Sequence, residues 1–94
     1  MANIVVLRSD WYAAGDATWL RSGDAHPWTW GLGNLFETVS VTAHPVRSTT
    51  TEYRVRVEGL QVVGGSGRGR LEFWVRNVGA PPVQAYTVIA SFTS

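Results

Sequence analysis

The chain has no cysteine and no lysine, a single methionine and no long apolar run. The lack of cysteine excludes a disulfide framework and any thiolate-based metal site. Small exported domains commonly depend on such staples. A chain without them must rely on its core and on association with further copies, or work where disulfides do not form. No stretch approaches the roughly 20 apolar residues of a membrane-spanning helix. The opening residues, MANIVVLRSDWY, show neither the basic leader nor the apolar stretch of a secretory signal. Charge is also sparse, with 16% of residues charged and a net charge of +1. That balance supplies no field for strong phosphate binding, so nucleic acid is not expected as a partner.

Catalysis is not expected either. There are two histidines, His26 and His44, each followed by proline. Gly65-Ser66-Gly67 lacks the strand–turn–helix setting of a nucleophile elbow. The run Gly64–Gly69 lacks the GK[ST] ending of a phosphate loop. Asp10, Asp16 and Asp24 could pair as glycosidase carboxylates do. So short a chain offers little room for a cleft that would separate their pKa values, and they read as solvated turn residues. Asp16, Asp24, His26 and Asn34 have no metal-ligand spacing. No catalytic residue, metal or cofactor is therefore assigned.

What the chain does have is valine, threonine and alternation with a period of two, which favour strands. Asn3–Arg8 is a first short apolar run. From Thr38 to His44, Val39, Val41 and Ala43 alternate with polar residues until Pro45 ends the pattern. Glu52–Glu58 sets Tyr53, Val55 and Val57 on one face and all its charges on the other. Gly59 then breaks the phase, as at a β-bulge. Arg70–Arg76 repeats the pattern, with Leu71, Phe73 and Val75 inward, and Asn77–Pro82 reads as a turn. Ala85–Thr93 closes the series. The expectation is all-β: residues 1–94 as a single antiparallel β-sandwich of six to eight strands, jelly-roll or immunoglobulin-like, with no significant helix. Its core would draw on Val39, Val41, Tyr53, Val55, Val57, Leu71, Phe73, Val75, Tyr86, Val88 and Phe92. Residues 9–35 are too long a stretch to be structureless in so small a domain, and short strands are expected at Ala17–Arg21 and Pro27–Trp30.

The tryptophans are unevenly placed. Trp11, Trp19, Trp28 and Trp30 precede residue 31 and only Trp74 follows it. Indole rings suit stacking on sugars, and short polar side chains suit sugar hydroxyls. The segment thus offers Trp11, Trp19, Trp28 and Trp30 as platforms, with Asp10, Asp16, Asp24, His26 and Asn34 as polar partners. The competing assignment is that these rings fill the core. Trp74 shares its strand face with Arg70, Glu72 and Arg76. It is expected to stack on a guanidinium such as Arg54, Arg56 or Arg76, or to lie in a subunit interface, with a ligand platform as the further alternative. Cross-strand Arg–Glu ladders account for the charges of that face without a ligand.

The strand rhythm from Glu37 to Phe92, closing on Tyr86-Thr87-Val88-Ile89-Ala90, resembles that of small oligomeric β-sandwich lectins such as the H-type lectins. The resemblance lies in spacing and length and assigns no site residue. Many immunoglobulin-like and jelly-roll modules share it. The leading expectation is a non-catalytic, lectin-like carbohydrate-binding module that works as a homo-oligomer. The alternative is a self-assembling, coat-type subunit whose aromatic segment makes inter-subunit contacts. A third is a membrane-active or toxin-like domain with interfacial tryptophans.

Overall fold

The computed structural model describes residues 4–33, 38–65 and 68–93. Six strands form: β1 (Ile4–Tyr12), β2 (Ala25–Gly33), β3 (Thr38–Pro45), β4 (Val55–Gly65), β5 (Arg68–Asn77) and β6 (Ala85–Thr93). They make two antiparallel three-stranded sheets, ordered β1-β6-β3 and β2-β5-β4, which pack as an all-β sandwich. Among the described residues the helical content is one 3-10 turn at Asp16–Thr18.

The burial follows from the strand order. β5 and β6 are the central strands and have a neighbour on each side. Their inward residues, Leu71, Phe73, Val75, Tyr86, Val88, Ala90 and Phe92, make up most of the buried core. Edge strands are covered on one flank only, so Val41, Val55 and Val57, with Tyr53 just ahead of β4, pack against this core half-buried. Val39 is aligned with Phe92 in the β3–β6 register.

The alternation in the sequence locates the strands but not their ends. β1 runs on to Tyr12, with a strict alternation of exposed and half-buried side chains. The β4 pairing slips between Glu58 and Gln61, where Gly59 takes a left-handed φ of 62°. This is the bulge that the glycine and the phase change predict. β4 and β5 stay paired through Gly65 and Arg68, so the ladder continues into the glycine-rich run.

Two differences lie in the first half. Ala17–Arg21 is not a strand: the 3-10 turn ends at Thr18, and Leu20 then makes an isolated bridge with Val83. Leu20 and Val83 exchange main-chain hydrogen bonds of 2.9 and 2.8 Å, and both side chains are buried. The second expected strand is real but longer, Ala25–Gly33, and holds Pro27. An edge strand tolerates this proline because its missing N–H can face away from the ladder.

Candidate functional site

Trp11, His26, Trp28 and Trp30 lie on strands, not on loops. Their alternation along β1 and β2 turns all four inward, where they meet Tyr86 and Phe73. Trp11 is opposite Tyr86 in the β1–β6 register, with ring centroids 5.1 Å apart, and meets His26 edge-on at 4.5 Å. Trp28 stacks on Phe73 at 5.9 Å with the planes 8° apart, and Trp30 meets Phe73 edge-on. The cluster links the two sheets, since Trp11 and Tyr86 belong to one and the other rings to the second.

Its polar centre is the Tyr86 hydroxyl. The Trp28 indole N–H donates to it at 2.9 Å, and His26 Nδ1 lies 2.8 Å away. With a neutral imidazole protonated on Nε2, the hydroxyl accepts from Trp28 and donates to Nδ1, so each group is used once. Burial holds the His26 pKa below its ordinary value, with the Asp24 carboxylate opposing. Burial pushes the Tyr86 phenol up to about 12, with the Trp28 hydrogen bond opposing. These rings pack on one another between the sheets, and Trp11, His26, Trp28 and Trp30 are each half-buried there.

The pH dependence follows from these directions. The folded state favours neutral His26, so the unfolded chain binds its proton first on acidification. That contribution is complete above about pH 6.5 and is lost as pH falls below it. Melts at about pH 8, about 6.5 and about 5 should show the midpoint falling over this window, and His26→Gln should flatten it. An unchanged midpoint in the native chain between about 6.5 and 5 would contradict the assignment. The Tyr86 contribution runs the other way, complete below pH 10 and lost as pH rises towards about 12.

The remaining expected residues are dispersed. Asp10 is on the outer face of β1, where the Thr87 hydroxyl donates to it at 2.5 Å and Arg8 lies at 3.4 Å. The Thr87 hydrogen bond, followed by Arg8, holds its carboxyl below the usual range against the opposing effect of burial. Asp24 is exposed in the turn before β2, and Asp16 opens the 3-10 turn. Asn34 lies outside the described residues. Trp19 lines an open groove of about 490 Å³ with Arg21, Ser22, Ala80 and Pro82. Among the described residues, no group of three or more His, Asp or Glu side chains could hold a metal ion. No helix among them is long and apolar enough to cross a membrane.

Trp74 is the indole most open to solvent, at 46% exposure, on the outer face of β2-β5-β4. Pro27 and Glu58 flank it in the register. Beside it is Gly59, where a Cβ would stand 3.4 Å from Trp74 Cδ1. The bulge thus sets a bare backbone next to the ring. Around it the charges are tied together. Glu58 receives the guanidinium groups of Arg56 and of Arg76, the latter at 2.9 Å, and Arg76 also donates to the Gly23 carbonyl at 2.5 Å. The hydrogen bonds from Arg56 and then Arg76 hold the Glu58 carboxyl below its ordinary range, with burial opposing. Arg70 pairs with Glu72 at 2.9 Å and Arg54 with Glu52 at 2.7 Å. These pairs are mostly between residues two apart in one strand; Arg76–Glu58 is the cross-strand one. The arginines considered as stacking partners for Trp74, namely Arg54, Arg56 and Arg76, all have their guanidinium groups on carboxylates.

No protein-family model, curated protein or solved structure matches this chain.

Proposed function

We propose that the chain is a non-catalytic carbohydrate-binding module whose ligand surface is the outer face of β2-β5-β4 around Trp74. The observation that carries this reading is a single half-exposed indole set among arginine and glutamate side chains that already hold one another in place. A sugar ring can stack on the indole. Its hydroxyls can reach Glu58 and Arg76 on one side and Thr29 and Gln61, both exposed, on the other. The ion pairs fix Glu58 and Arg76 before any ligand arrives, which lowers the ordering cost of binding. The tryptophan-rich segment supports the platform from beneath: Trp28 and Trp30 pack on Phe73, which neighbours Trp74 in β5 and points to the opposite face.

The test is titration with neutral, amino-sugar and uronic-acid oligosaccharides, followed by tryptophan fluorescence. Binding is expected to be weak at one site and strengthened by any multivalent arrangement. Trp74→Ala should abolish the signal and shift stability by no more than about 0.5 kcal/mol, as for an exposed residue away from the core. The absence of a fluorescence change with every sugar class, or binding that survives Trp74→Ala, would overturn the reading.

A further inference from the structure

The sandwich has four edge strands, and three carry a device against pairing with another chain. β2 has Pro27 as its third residue and an irregularity between Gly31 and Gly33. β4 has the Gly59 bulge. β3 ends in Pro45 and lies alongside β4. Prolines, bulges and cover by a neighbouring strand are the usual means of blunting an edge. β1 has none of these. It runs nine residues without proline, glycine or bulge. Its free edge makes no main-chain hydrogen bond with turns or loops among the described residues. Its outer face exposes Ile4 at 74%, Val6 at 59% and Tyr12 at 72%.

We infer that β1 pairs antiparallel with β1 of a second copy about a twofold axis at Ser9, joining two three-stranded sheets into one of six strands. The sequence of the strand selects this register. A twofold axis perpendicular to the sheet keeps outer residues opposite outer residues. Centred on Ser9, it sets Arg8 opposite the partner's Asp10 and Asp10 opposite the partner's Arg8. It also covers Val6 with the partner's Tyr12, and Leu7 with the partner's Trp11 on the inner face. Aromatic–aliphatic and opposite-charge pairs are the favoured cross-strand neighbours. Centring on Arg8 instead opposes Arg8 to itself and Val6 to Asp10. Centring on Asp10 opposes Asp10 to itself. Centring on Leu7 sets Val6 against Arg8. Only the Ser9 register matches both charge and polarity along the whole overlap. This inference is independent of the sugar-binding reading, since Trp74 lies on the other sheet and either can fail alone.

Charge reversal followed by sedimentation velocity tests it. The native chain should sediment as a dimer. Arg8→Asp or Asp10→Arg places two like-charge pairs across the axis and should weaken dimerisation by about tenfold or more. The double variant Arg8→Asp/Asp10→Arg should restore it. Thermal melts establish that each variant is folded, which matters for Asp10→Arg because Asp10 also accepts from Thr87. Tyr12→Lys, at an exposed position, should weaken the dimer without touching the core. A second test uses the absence of native cysteine. Across an antiparallel pair, Cα atoms stand about 4.5–5.5 Å apart, within disulfide range. Ser9→Cys should therefore cross-link to a covalent dimer under mild oxidation, and Thr42→Cys on exposed β3 should not. A monomeric native chain, single reversals without effect, or no rescue in the double variant overturns the inference. A monomer would leave the edge to a strand from a different protein.

Discussion

Asn77→Ala is expected to lower the unfolding free energy by about 3–5 kcal/mol, a large fraction of the total for a domain this small. Asn77 is fully buried and is the one buried polar side chain of the described residues. Its amide donates to the Leu20 carbonyl at 3.0 Å and the Pro81 carbonyl at 2.8 Å, and its oxygen accepts from the Gly79 N–H at 2.9 Å. Its main chain also binds the turn before β2, donating to Asp24 and accepting from Gly23. One residue thus fastens the end of β5 to two separate loops. Removing the side chain leaves the Pro81 carbonyl and the Gly79 N–H without partners; the Leu20 carbonyl keeps the Val83 N–H. Asn77→Asp should be no milder, because it sets a carboxylate against two carbonyl oxygens. Urea denaturation checks both: the midpoint should fall with the slope unchanged. A midpoint shift equivalent to under about 1 kcal/mol would contradict the role assigned to this side chain.

Phe73→Ala is expected to cost about 3–5 kcal/mol as well, by a different mechanism. Phe73 is buried at the centre of β5, with Trp28 stacked on its face and Trp30 against its edge. Truncation leaves a ring-sized void lined by two half-buried indoles that cannot collapse into it without leaving their own places. The near-ultraviolet circular dichroism of the tryptophans should weaken together with the loss of stability. The comparison with Trp74→Ala is decisive: Trp74 adjoins Phe73 in sequence but faces the other way, and its loss should affect binding and spare stability. If the two variants destabilise equally, the division between an inner structural cluster and an outer platform is wrong.

The alternation of Glu52–Glu58, Arg70–Arg76 and Ala85–Thr93 makes the sandwich legible in the sequence, because a period of two with one apolar face is the mark of a half-buried strand. The same rule applied to His26, Trp28 and Trp30 turns them inward. The segment's mixture of proline, glycine and polar residues obscures that pattern, and Pro27 reads as a breaker unless the strand is known to lie at an edge. Leu20 and Val83 lie in irregular segments without periodicity, so only tertiary contact reveals them as core. Asn77 stands at the head of a turn-like string and is indistinguishable there from an ordinary turn asparagine. Nothing local marks the Tyr86 hydroxyl, since Trp28 and His26 reach it from about sixty positions earlier. Trp74 is legible as an anomaly on a charged face. The role of Gly59 beside it is not, because bulge and indole meet across strands.

The position of β6 has a consequence for how the chain is made. Among the described residues β1 and β3 each bond only to β6, and β4–β5 is the only pairing between strands consecutive in the chain. During synthesis the second sheet can assemble from the β4–β5 hairpin and β2, while β1 and β3 remain without ladder partners until residues 85–93 have left the ribosome. Such long-range closure is slow compared with hairpin formation. Until then the nascent chain carries Ile4–Tyr12 without a ladder partner of its own, and this waiting period is when holding by a chaperone or mispairing between neighbouring nascent chains would act.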